Sequence, residues 1–136
     1  MTGEVRYTGN LRCECIHIQS GSIVETDAPT DNRGKGERFS PTDTICMGLA
    51  TCMITTMAIK ASDKEIKLDG STVEFTKYML ADPRRISKIE IVLNLSASRS
   101  LDSSDKNYLK EVGDNCPVMK SIHPEIQVEA VYRWNN

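Results

Sequence analysis

The sequence predicts an α+β fold built on antiparallel sheet. Three observations carry that reading: an element order of βββ-α-ββ-α-α-β, a sixteen-residue uncharged run from Thr44 to Ile59, and two-residue alternation at Ile89, Ile91, Leu93 and Leu95. At 136 residues the chain has the length of one ordinary domain, so residues 1–136 are read as a single unit. Apolar residues make up 39% and charged residues 26%, enough core material to fold.

The first 27 residues read as three short strands. Val5 and Tyr7 alternate with Arg6 and Thr8 before a Gly9-Asn10 turn. Leu11 to Ile18 forms the second strand, and Ser20-Gly21-Ser22 turns the chain into Ile23-Val24. Residues 28–40 (APTDNRGKGERFS) are polar and rich in Gly and Pro, which predicts a loop of a length often tied to function. Ser40-Pro41-Thr42-Asp43 then opens a helix. Ser40 suits the N-cap, Pro41 the first helical position, and Asp43 the acid of a capping box.

The uncharged run TICMGLATCMITTMAI follows. As a helix it rises only roughly 24 Å, and it carries four threonines, which argues against a membrane span. A buried helix, apolar on nearly every side, is the expectation. One chain of this size wraps such a helix poorly, and a homodimer would cover it.

Thr72 to Leu80 and the alternating segment at 89–95 are two further strands joined by an Asp82-Pro83 turn. Asp102 to Gly113 reads as an amphipathic helix with Tyr108, Leu109 and Val112 on one face. Cys116-Pro117 starts a short helical piece, because Pro is tolerated in a first turn. The last strand places Ile126, Val128, Ala130, Tyr132 and Trp134 on one face.

Seventeen basic residues against nineteen acidic ones leave a net charge of −2, without the basic excess that nucleic-acid binding demands. The N-terminus shows no charged n-region followed by an apolar stretch, so no secretory signal is expected. Five cysteines at irregular spacing do not form a disulfide framework. Free thiols in a reducing cytoplasm fit better.

Two cysteines stand out. Cys52 lies mid-helix, where a cysteine is commonly a small core residue. Cys116 lies at a helix start, where backbone N–H groups and the positive helix end favour thiolate. An unperturbed thiol is only about 3% ionised at neutral pH, and a pKa near 6.5 would raise that to roughly three-quarters.

The other candidates have plain readings. Cys13 and Cys15 share one side of a strand, a spacing open to a soft metal but lacking a second ligand pair, so no metal is assigned. Cys46 reads as core. His123 is near Cys116 in the chain, but neither it nor His17 forms a recognisable Cys-His dyad. Arg33-Gly34-Lys35-Gly36 lacks P-loop spacing. Met47, Met53 and Met57 recur at helical spacing as core residues lining an apolar pocket.

FSPTDTICMGLATC, followed much later by NCPVMKSIH, resembles the OsmC/Ohr family of osmotically inducible and organic-hydroperoxide-resistance proteins. Pro41, Asp43 and Cys52 match the family's helix start, acid and reactive cysteine, and Cys116-Pro117-Val118 matches its second cysteine run. The resemblance implies antiparallel sheets wrapped around a central helix in an intertwined homodimer. It also implies thiol-dependent reduction of organic hydroperoxides, with no metal or bound cofactor. By it, Cys52 attacks peroxide and becomes a sulfenic acid, Cys116 resolves that acid as a disulfide, and a dithiol restores both. A guanidinium and a carboxylate accompany the cysteine in the family. The carboxylate is usually Glu, where this chain has Asp43, and Arg38 is chosen as the guanidinium over Arg33 and Arg12.

Nine helical residues separate Asp43 from Cys52 by roughly 13 Å and half a turn. Any service of Asp43 to a thiol is therefore expected on the second subunit. The alternative function is a small-molecule or partner-binding module of the same fold without peroxidase chemistry.

Overall fold

The computed structural model describes residues 1–135, and the chain divides into two compact units, Met1–Ile45 and the segment from Cys46 onward.

The first unit is a three-stranded antiparallel sheet of β1 (Gly3–Gly9), β2 (Arg12–His17) and β3 (Ile23–Asp27), in that order. Gly9, Asn10 and Leu11 all take positive φ in the first turn, which Gly and Asn accept at low cost. Strand register sorts the side chains by face. Val5, Cys15 and Val24 align across the sheet, as do Tyr7, Cys13 and Thr26, while Arg12 is opposite Asp27 on the other face. Val5 and Tyr7 keep 65% and 63% of their surface exposed, so that apolar face is open in the single chain.

Residues 28–40 form the expected loop, with a single 3-10 turn at Thr30–Asn32. Gly34 is required there, because a Cβ would stand 1.6 Å from the Ala28 carbonyl oxygen. The loop leads into α1 (Pro41–Ser62), whose first residues close the unit.

The second unit contains the rest of α1, the sheet of β4 (Thr72–Ala81), β5 (Arg84–Leu95) and β6 (Gln127–Trp134), and helices α2 (Ser103–Asp114) and α3 (Pro117–Ser121). β4 and β5 pair antiparallel, but β5 and β6 pair parallel, so this sheet is mixed where purely antiparallel sheet was expected. The reason is the connection. The chain leaves the end of β5, runs through both helices, and returns beside Lys88 near the start of β5. A helical crossover of that kind delivers a parallel strand.

α1 also differs from expectation. It is not buried on every side. Leu49, Met53, Met57 and Ala61 form a buried stripe at four-residue spacing, while Thr51, Thr55 and Ile59 are exposed. The stripe joins Ile89, Ile91, Leu93 and Leu95 of β5 and Leu109 of α2 in one buried cluster. By length and composition alone α1 could cross a membrane, but its buried stripe is that of a core helix. Tyr108 stays at the edge, its ring under the Lys64 ammonium at 4.9 Å.

Candidate active site

Two of the four residues singled out from sequence meet in the second unit. Cys52 is half-buried on α1 and packs against the core cluster, with its sulfur 3.8 Å from the Thr56 hydroxyl one helical turn on. Cys116 is completely buried and occupies the N-cap of α3, ahead of Pro117. Their side chains interact directly, although 64 positions separate them in the chain. All five cysteines are free thiols.

The electrostatics of Cys116 reverse the sequence reading, which had a helix start favouring thiolate. Burial pushes its pKa above the ordinary value, and its interaction with Cys52 pushes the same way. The Met119 N–H pulls it down, as a helix start should, less strongly than burial raises it, and the Val118 N–H adds a smaller pull the same way. No capping hydrogen bond reaches the side chain. Cys116 therefore holds its proton beside Cys52.

The other two residues meet in the first unit. Arg38 and Asp43 line one cleft of about 460 Å³ with Glu25, Glu37 and Phe39. Asp43 builds the expected capping box. Its carboxylate accepts from the Ser40 N–H at 2.8 Å, and the Ser40 hydroxyl accepts from the Asp43 N–H at 3.0 Å. Arg38 donates to Glu25 at 3.2 Å and to the Glu37 carbonyl at 3.0 Å.

The other arginine candidates have structural work. Arg12 grips the buried Asp27 carboxylate with both ends of its fork, at 2.6 and 2.8 Å, and also reaches Glu37 at 3.1 Å. Asp27 accepts the Glu37 N–H as well, at 3.1 Å, which ties the long loop to the sheet. Hydrogen bonding from Arg12 holds the Asp27 carboxyl below its usual range, and Asp27 in turn raises the Arg12 pKa. Arg33 takes positive φ at the end of the 3-10 turn, a backbone role.

His17 and His123 are engaged locally, with Ser20 and the Glu125 N–H respectively. Among the described residues no three His, Cys, Asp or Glu side chains are grouped to hold a metal. Sequence reasoning missed Thr56, although its four-residue spacing from Cys52 was legible. It also missed Tyr132, whose hydroxyl donates to the Asp114 carboxylate at 2.7 Å, two residues before Cys116. Nothing local in the sequence marks that second contact.

No curated protein matches the chain. A crystal structure from Psychrobacter arcticus 273-4, provisionally named an osmotic stress induced and detoxification response protein, is 45% identical, with a TM-score of 0.92 over 98% of this chain and 96% of that one. An organic hydroperoxide resistance protein OsmC from Legionella pneumophila is 16% identical, with a TM-score of 0.70 over 98% and 97%. The organic hydroperoxide resistance protein OhrB of Bacillus subtilis is 18% identical, with a TM-score of 0.66 over 98% of each chain. These last two share the fold. The family model for OsmC-like proteins matches residues 34–131, a span that contains both thiols, Arg38 and Asp43, and the chain belongs to that family.

Proposed function

We propose that the chain is a cysteine-based peroxidase that reduces organic hydroperoxides. The observation that carries this reading is the meeting of Cys52, half-exposed, with Cys116, buried and protonated. Cys52 attacks the peroxide as thiolate, which breaks the O–O bond. The thiol and hydroperoxide become a Cys52 sulfenic acid and an alcohol. Cys116 then attacks the Cys52 sulfur, forming the disulfide and releasing water with its own proton. A dithiol reduces that disulfide to two thiols and is itself oxidised to a disulfide. The proposed roles of the two thiols follow their exposure, since only Cys52 retains an open side for substrate.

Hydroperoxide resistance in the names of fold relatives supports the substrate class. The buried methionines Met53 and Met57 in the same core favour an apolar peroxide over hydrogen peroxide. The reading includes a homodimer, because Val5 and Tyr7 in one unit and Ile59 in the other, 58% exposed, are apolar surface that a second copy would cover. It also includes a cytoplasmic setting that keeps thiols reduced, and action of Asp43 and Arg38 on Cys52 of the partner subunit.

Consumption of an alkyl hydroperoxide with a dithiol reductant tests the proposal. Wild type should turn over, and Cys52→Ser should fall to the uncatalysed rate. Equal rates would refute it. A binding module of the same fold would instead show no Cys52–Cys116 disulfide after mild oxidation. Subunit mixing tests the shared site: the weak Asp43→Ala parent and the inactive Cys52→Ser parent should regain activity as heterodimers.

A further inference from the structure

Behind Cys116 is a polar cluster that the proposed reaction does not use. The Tyr132 hydroxyl, on β6, donates to Asp114 Oδ1 at 2.7 Å and also reaches the Lys110 carbonyl at 3.3 Å. Lys110 closes the group from outside, with its ammonium 2.8 Å from Asp114 Oδ2 and 5.4 Å from the centre of the Tyr132 ring.

Gly113 makes room for the hydroxyl, since a Cβ there would stand 2.6 Å from the Tyr132 oxygen and 2.9 Å from the Met57 sulfur. The chain turns immediately afterwards. The Asn115 N–H bonds the Val112 carbonyl at 3.3 Å, and the Cys116 N–H bonds the Gly113 carbonyl at 3.4 Å. Two backbone hydrogen bonds therefore tie Asn115 and Cys116 to the end of α2. Burial and Asp114 both raise the Tyr132 pKa, so the phenol stays a donor, and Cys116 is near enough to be felt at it.

We propose that Tyr132, through Asp114, is a positioning residue for the resolving thiol. It locks the end of α2 so that the turn Gly113–Cys116 presents the Cys116 sulfur to Cys52. The inference rests on the pairing of Cys52 with Cys116 proposed above. It assigns Tyr132 no contact with peroxide and no proton transfer. Its effect is confined to the second step, in which Cys116 S–H and an oxidised Cys52 sulfur become a disulfide.

The test separates that step from peroxide chemistry. In a Cys13→Ser, Cys15→Ser background, the aromatic disulfide dithiobis(nitrobenzoate) reacts with Cys52 and releases one coloured thiol. Cys116 then attacks the mixed disulfide at Cys52, closes the bridge and releases a second. Tyr132→Phe and Asp114→Ala should leave the first release at the wild-type rate and slow the second roughly tenfold, the worth of one lost hydrogen bond. Asp114→Asn keeps an acceptor oxygen for the phenol and should restore the second release.

A merely structural role would lower melting temperature without changing the ratio of the two rates. The proposal is overturned if the ratio in Tyr132→Phe and Asp114→Ala equals wild type. It is equally overturned if Asp114→Asn is as slow as Asp114→Ala, or if the Cys13→Ser, Cys15→Ser protein never closes. Closure there without hydroperoxide turnover in wild type would end the peroxidase reading and leave this inference standing.

Discussion

The starts of α1 and α3 are the two ends of one chemical contrast. The approach to α1 is polar at every step: Arg12 grips Asp27, Asp27 holds the Glu37 N–H, and Ser40 and Asp43 exchange hydrogen bonds across the first turn. The approach to α3 ends in a cysteine with no capping bond, enclosed among apolar side chains and facing a second thiol. Both helices begin with proline at the first position. Proline removes one N–H that would need a partner. The first start then pairs the Ser40 and Asp43 N–H groups with side chains, whereas the second leaves its cap residue available for other chemistry.

Cys116→Ser gives the largest expected effect. Serine caps better than cysteine, but its hydroxyl would be buried, and these terms of about 1 kcal/mol oppose each other. Stability should change little. Disulfide formation should vanish while Cys52 still oxidises, so a sulfenic-acid trap should label the variant and barely label wild type. Unlabelled Cys116→Ser after peroxide would break the contrast, because the uncapped thiol would then have no chemistry of its own.

The next effect is on the polar side. Asp27 has its carboxyl pKa lowered by Arg12, so the stability it contributes is present above the unfolded-state value and lost as pH falls through the folded one. Asp27→Asn should flatten the acid limb of a stability-against-pH curve and leave the alkaline limb unchanged. Cys116 should behave in the opposite sense. Its raised pKa makes its contribution complete below the ordinary thiol range and lost as pH rises through the folded value. In Cys52→Ser the Cys116 titration, followed by thiolate ultraviolet absorbance, should move downward but stay above the ordinary value. Burial is the first cause of the shift and remains after Cys52 is gone. A return to the ordinary value would assign the whole shift to Cys52.

These contrasts also mark what could be read from sequence. The start of α1 was legible because Ser40, Pro41 and Asp43 act within one turn, and their bonds are local. The alternation of β5 was legible because Ile89, Ile91, Leu93 and Leu95 face one core. The direction of β6 was not, since alternation at Val128, Ala130 and Tyr132 looks the same in parallel and antiparallel pairing. One-sided burial of α1 was hidden because its exposed positions, Thr51, Thr55 and Ile59, carry no charge.

The site divided in the same way. Cys52, Cys116 and Asp43 were candidates from the run of residues around them and Arg38 was one choice among three arginines; the structure brings the four together as two pairs. The Arg12 fork was missed because it depends on register, which brings positions fifteen apart face to face. The sign of the Cys116 shift failed for a similar reason. Helix-start electrostatics are local, whereas burial and Cys52 arrive only with the tertiary fold.

The smallest expected effect decides what Asp43 is for. α2 offers an internal control, because Asp102 caps it in the ordinary way, accepting the Asp105 N–H at 2.8 Å. Asp102→Ala should cost about 1 kcal/mol, measured by denaturant midpoint, with peroxide turnover unchanged. Asp43→Ala should cost about the same, since the Ser40 hydroxyl still meets the residue-43 N–H after the carboxylate is gone. If capping is the whole role of Asp43, the two variants are equivalent in stability and in rate. The proposed reaction requires them to part: equal destabilisation, but a fall in turnover for Asp43→Ala alone. Asp43→Asn refines the result, because it keeps an acceptor for the Ser40 N–H and removes the charge. Stability near wild type with turnover still depressed would assign the rate effect to the carboxylate charge and the stability effect to the cap.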